Sequence, residues 1–191
     1  MLTQIKNQIN WIDLFVIIIL IKICYVAIKT GFPVELFKIL GLILATYLSL
    51  HYYFRLSSFV SILLGSKNIP SVFLSLLSFI FLAGAGFLFF SFLRRIFFKL
   101  VKMEAVSSLN KWGGLVLGIT RGFLFAGLVI FIFVISGIGY LKKSVAASYS
   151  GKAIFKIAPA TYGWAFNGIV SKLITGEKLN ESILNVEKDL K

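Results

Sequence analysis

The sequence predicts an all-α protein that crosses a membrane four times and ends in an amphipathic helical segment. Three observations carry this. Of its 191 residues, 59% are hydrophobic and 14% charged, and mean hydropathy is +0.95; a soluble domain carries about 45–50% apolar and about 25% charged residues. The excess is too large for one globular core of this length, whereas lipid can take the place of the missing interior. It also falls in four long runs that show neither the polar face of a soluble bundle helix nor the alternation of membrane strands. FLSLLSFIFLAGAGFLFFSFL, residues 73–93, is the clearest of these runs.

The first span runs from about Ile9 to Ile28. Lys6 precedes it, but no A-x-A site follows, and bulky Ile23 stands before Cys24 where a lipoprotein box carries a small residue. The segment is therefore expected to remain. KTGFPVE turns the chain: Gly31 permits a tight turn, Phe32 follows, and Pro33 suits the start of a helix. The second span runs from Pro33 to about Tyr53, with Glu35 in its first turn facing the positive end of the helix dipole. GSKNIPS, 65–71, reads as a loop. The third span, Ser71 to Leu93, is free of charge. Residues 94–111 extend helix three before a break near Ser107 and Ser108. The fourth span, Gly113 to Leu141, would reach about 43 Å as one helix, so it tilts or stops at SGIG, 136–139. Each span is near or above the ~20 residues that cross ~30 Å of hydrocarbon.

Residues 1–141 thus form the membrane domain. From 142 to 173 apolar positions recur near helical spacing, with Lys152 and Lys156 on another face. Pro159 and Gly163 divide the stretch into two short amphipathic pieces, which either lie on the membrane or fold back over the helix ends. Residues 174–191 are a charged tail with Leu179, Ile183, Val186 and Leu190 at heptad-like spacing, too short for a coiled coil and expected to be a solvated helix or disordered.

No catalytic motif is present: no Walker loop, GxSxG, HExxH or glycine-rich dinucleotide loop. An enzyme is not expected, nor a cofactor or metal, since the chain has one cysteine, Cys24, and one histidine, His51. Cys24 reads as a small apolar helix residue and His51 as an interfacial side chain. The net charge of +13 raises nucleic acid as a partner, but the cations flank apolar runs as in membrane proteins. The expected partner is the lipid bilayer, with other membrane proteins or a second copy in contact and no nucleic acid. The positive-inside count ties; the dense 94–102 cluster favours that loop as cytoplasmic, with both termini opposite.

Four charges fall within or against the spans: Asp13, Lys22, Glu35 and Arg121. Such residues are costly and are functional candidates by default. Asp13 and Glu35 are near helix starts, and Lys22 has a stem long enough to snorkel. Arg121 stands out because Gly114, Gly118 and Gly122 recur four apart beside it. They make a bare face on which another helix can approach closely. Gly41, Ala45 and Ser49 offer a matching face on span two, so spans two and four are expected to cross there, bringing Arg121 to Glu35 or, failing that, to Asp13.

These residues resemble the colicin V production protein (CvpA) family. TGFPVELFKILGLILATYLS is similar to that family's hairpin, LNKWGGLVLGITRGFLFAGLVI to its fourth helix, and NWIDLFVIIIL to its opening. The likeness covers roughly residues 10 to 160 and maps Asp13, Gly31, Phe32, Glu35, Gly41, Gly114, Gly118, Arg121 and Gly122. Ala27 stands where a glycine is common, Lys29-Thr30 replaces a more basic pair, and Lys22 is atypical. The resemblance implies a four-helix bacterial inner-membrane protein linked to colicin V production or export and to envelope maintenance, which is a process rather than a reaction. The competing class is a small channel or transporter with these charges along a polar path.

Overall fold

The computed structural model describes residues 10–65, 69–100, 107–174, 176–180, 182, 183 and 186. Lys6, Lys67, Lys102, Glu104 and Leu190 lie outside the described residues. Among the described residues, four helices are long and apolar enough to cross a membrane: α1 (Trp11–Thr30), α2 (Phe32–Leu64), α3 (Ser71–Leu100) and α4 (Ser107–Ile135).

Each boundary has a local cause. Helix α1 opens on a capping box in which the Asn10 side chain accepts from Ile12 N–H and the Asp13 carboxylate accepts from Asn10 N–H, satisfying donors that a helix start leaves free. It closes at Gly31, whose φ of 79° lies in the region that favours glycine. Pro33 sits in the first turn of α2, where its missing N–H costs nothing. Helix α2 runs past Tyr53, where the sequence placed its end, because no glycine or proline stands between Tyr53 and Gly65. Its 33 residues reach about 50 Å, longer than the hydrocarbon is thick. Helix α3 continues through Arg94, Arg95 and Lys99, cations that suit a helix C-terminus. Helix α4 stops short of Leu141, ahead of Gly137 with φ 74°.

The chain then folds back. Helices α5 (Gly139–Ala147), α6 (Tyr149–Phe155) and α7 (Ile157–Ala165) follow, then a π turn, Phe166–Val170, and a last short helix, α8 (Ser171–Leu173). Of the two arrangements open for residues 142–173, the packed one is observed: Val145, Ile154, Phe155, Ala158, Tyr162 and Phe166 are buried in the bundle's core. The expected breaks at Pro159 and Gly163 are not there. Pro159 falls in the first turn of α7, where a helix has no N–H bond to lose, and the interruption is at Lys156 instead. The tail also docks, with Ile183 buried and Leu179 and Val186 packed against the same core.

Packing follows residue size. Helix α4 lies against both α1 and α2, and α2 packs along α3. Phe79, Phe131 and Phe155 stack across the centre with ring centroids 5.3 and 5.6 Å apart. Ile18, Ile21, Phe81 and Leu88 remain exposed on the flanks, the surface that lipid covers in a spanning bundle.

Candidate functional site

Glu35 anchors a charged cluster at the α1–α2 end of the bundle. Its side chain is wholly inaccessible to solvent. Oε1 accepts from Thr30 Oγ1 at 2.6 Å and from Lys38 Nζ at 2.6 Å, while Oε2 faces Arg121 Nε at 2.8 Å. That last contact is an ion pair without hydrogen-bond alignment, since neither atom has a properly directed partner. Arg121 lies two-thirds of a membrane's depth into α4 counted from Ser107, about 21 Å. Its charge is nevertheless delivered to a carboxylate tied to Thr30, the last residue of α1. The side chain leans back toward the start of its own helix, as helical side chains do, and so sets its charge near the bundle's end.

The turn beneath the cluster is held from α4. Asn110 Oδ1 accepts from Phe32 N–H at 2.9 Å and occupies the place that a Cβ on Gly31 would take. Gly31 is therefore needed twice, for its positive φ and for this close approach. Phe32 lies against Gly113. Sequence reasoning missed Asn110, although it stands just ahead of the glycine series.

The glycine faces do not meet one another. Gly114, Gly118 and Gly122 pack on α1, against the Gly31 backbone, the Ala27 methyl, and Leu20 with Ile23. Gly41 packs on Phe90 of α3, and Ala45 meets the backbone of Gly86. The expected crossing of spans two and four through these residues is thus corrected: α4 uses its small face on α1, and α2 uses its small face on α3. The physical reason is that α1 and α3 carry small residues of their own, Ala27 and Gly86, so each pairing lets two backbones approach. Helices α2 and α4 do pack together, but Leu42, Leu124 and Leu128 fill the shared core. Ser49 is buried and donates to Thr46 O at 3.2 Å, a bond within its own helix.

Asp13 stands apart from this cluster and is not the partner of Arg121. It accepts from Ser148 Oγ at 2.7 Å, from Ser150 N–H at 2.8 Å and from the Ser150 hydroxyl, while Asn10 Nδ2 donates to Ser144 O. The start of α1 is pinned in this way to the α5–α6 junction. Lys22 is exposed and has no partner among the described residues.

A second polar cluster, absent from the sequence reading, centres on His51. Rather than lying at an interface, His51 is 3% exposed. Its Nδ1 is 2.8 Å from Tyr162 Oη, and its Nε2 is 2.8 Å from Glu177 Oε1. Tyr162 Oη accepts from Asn180 N–H at 2.9 Å, and because an ionised carboxylate can only accept, Nε2–H donates to Glu177. Arg55 also donates to Glu177, at 2.9 Å, and Asn180 Nδ2 donates to Leu50 O. Burial pushes the Tyr162 hydroxyl's pKa up, so it keeps its proton. The cluster clasps the tail to α2. No spacing rule links residue 51 to 177, so only the folded chain brings them together.

This clasp has a defined pH response. The hydrogen bonds from His51 and Arg55 hold the Glu177 carboxyl below its usual 4.5. A carboxyl depressed in the folded state stabilises it fully above the unfolded pKa and loses that contribution as pH falls through the folded value. The protection factors of residues 176–180, taken against intrinsic exchange at each pH, should therefore fall below about pH 4.5, with Glu177→Gln removing that fall.

Two recesses flank the aromatic layer. One, of 580 Å³, is an apolar trough that reaches Lys22 and Arg121. The other, of 960 Å³, is lined by Ser57, Ser58, Ser61, Ser71 and Ser75 and bordered by Ser182 of the tail. On α3 the second ends at Ser75 and the first begins at Phe79; on α4 the first ends at Ile132 and the second begins at Val134. The two do not join into one polar path within the described residues.

The description of the colicin V production protein family matches residues 12–159, most of the chain. No protein of curated function and no solved structure matches the chain. Four apolar spans, a Gly31 turn clamped from α4 and a buried Glu35–Arg121 pair lie within that match, and the chain is a multi-pass membrane protein belonging to the colicin V production protein family.

Proposed function

We propose that the chain is a non-enzymatic component of the bacterial inner membrane that supports colicin V-type toxin production or export and envelope maintenance through helix-mediated contacts. The observation that carries this reading is the Glu35 cluster: a fully buried carboxylate held by hydrogen bonds from Thr30 and Lys38 and by an ion pair with Arg121. Charges paired with one another fasten helices together, whereas a conduit needs them facing shared water. The first recess is apolar apart from Lys22 and Arg121 among the described residues, which speaks against a polar path through a single copy in the same way. Helices α1, α3 and the tail then remain as surfaces for other membrane proteins or a second copy.

The test is colicin V secretion from a strain whose own family member is deleted and which carries this chain. Secretion should return with the wild-type chain. It should also return with Arg121→Lys, because the contact is made by a single unaligned Nε and a lysine ammonium reaches one bond further than that atom. The exchange Glu35→Arg with Arg121→Glu should recover part of the activity lost by either change alone. Arg121→Lys failing while the protein accumulates normally would mean that the site needs guanidinium geometry. Ion or solute flux in proteoliposomes that vanishes in Arg121→Ala would replace the scaffold with a conduit.

A further inference from the structure

The trough on the bundle's flank has the polarity of a lipid. It opens where α1 and α3, which scarcely touch one another, leave the core of α2 and α4 uncovered. Leu42 and Leu128 are its floor, Ile19 and Ile80 its walls, and Phe79 closes one end. Among the described residues its charged ones are Lys22 and Arg121, both on the α1–α2 turn side of Phe79: Arg121 is the first lining position on α4, and Lys22 falls between Ile19 and Val26 on α1. Both keep donors to spare: Lys22 has no partner among the described residues, and the terminal nitrogens of Arg121 make no hydrogen bond there. Around Glu35 the balance is already positive, with Lys38 and Arg121 on one carboxylate.

The levels agree with this polarity. Arg121's guanidinium sits beside a carboxylate bonded to the last residue of α1, and Lys22, about two turns before that end, can snorkel toward it. From Arg121 to Ile132 the trough follows α4 for about 16 Å, an apolar floor along which a lipid acyl chain can lie. Cations on the turn side and an apolar floor of this length match an anion with a chain attached. A partner helix would need contact along the whole length but no cations gathered at one end.

We propose that this trough binds an anionic phospholipid from the leaflet on the α1–α2 turn side, with its phosphate on Lys22 and the free nitrogens of Arg121 and an acyl chain along Leu128 toward Phe79. The site is separate from the scaffold reading above and stands or falls without it.

The test is native mass spectrometry of the purified full chain in detergent, titrated with phosphatidylglycerol or with phosphatidylcholine of the same acyl chains. Phosphatidylglycerol should bind at least tenfold tighter. Lys22→Gln should reduce that preference at least fivefold. Gly84→Phe should weaken both lipids at least fivefold; a Cβ at Gly84 meets nothing within 4 Å, so the fold can accept it, and an unchanged melting temperature verifies this. Equal binding of the two lipids, or binding indifferent to Gly84→Phe, overturns the proposal. So does a disulfide-linked dimer formed in membranes through Gly84→Cys on a Cys24→Ser background, because a second copy would then fill the trough.

Discussion

Replacing Glu35 with alanine should be among the most damaging single changes in this protein. It strips the carboxylate from a cluster that keeps two cations, Lys38 and Arg121, facing each other across the vacated space. Arg121 is mostly enclosed, with a 13% exposed side chain, so water cannot fully replace the lost partner. Removing one member of a buried ion pair costs about 3–5 kcal/mol, because the remaining charge stays desolvated and unbalanced. Lysine 38 is long enough to swing outward, and that relief places the expected loss at the lower end, about 3 kcal/mol. Thermal melting in detergent and the steady-state amount of protein in membranes would both read it. Glu35→Gln keeps the bond from Thr30 and should cost less. Removing the complementary charge as well, in Glu35→Gln with Arg121→Gln, should recover stability relative to the single change, since a neutral polar pair in this place leaves no stranded ion. A Glu35→Ala protein melting within experimental error of wild type would show that the cluster is incidental to the fold.

The sequence made some of this plain and concealed the rest for identifiable reasons. The four spans are legible because lipid imposes a length and an apolar character that no other environment demands over Ser71–Leu93. The Gly31 turn is legible because glycine followed by Phe-Pro leaves few backbone options. The nearness of Glu35 to Arg121 follows from placing both toward one end of the bundle, and the structure brings them to 2.8 Å. Which helix meets which was not legible. A face of small residues says that some backbone comes close without saying whose, and α1 and α3 advertise only Ala27 and the short AGAG run at 83–86. The C-terminal segment hid itself for a different reason. Its amphipathic pattern is the same whether the apolar face meets lipid or protein, so only contacts such as Asp13 with Ser148 and Ser150 distinguish them. His51 is the extreme case: its partners lie 111 and 126 residues away, and each taken alone looks like an ordinary interfacial residue.

The second large effect is expected at Gly118. The position that a Cβ would take there is already filled by the Ala27 methyl, and Ile23 O lies just beyond. Even Gly118→Ala has no room without moving α1 away from α4. Gly118→Leu adds three further heavy atoms, and forcing bulk into a packed interface costs about 1–3 kcal/mol and occasionally more. Here it would also separate the helices that hold Asn110 against the Gly31 turn, so the upper end or beyond is expected, with little protein retained in membranes. Helix association in lipid depends on close packing of this kind, since apolar surface gains nothing by leaving one hydrocarbon environment for another. Specificity comes from the compensating change. Ala27→Gly empties the space that the new methyl needs, so Ala27→Gly with Gly118→Ala should melt near wild type while Gly118→Ala alone does not, a coupling of the kind that contacting residues show. Ala45→Gly should give no rescue, because Ala45 lies against Gly86 on α3 rather than against α4. Rescue by Ala45→Gly and not by Ala27→Gly would return the glycine face of α4 to α2 and remove the helix arrangement on which the trough between α1 and α3 depends.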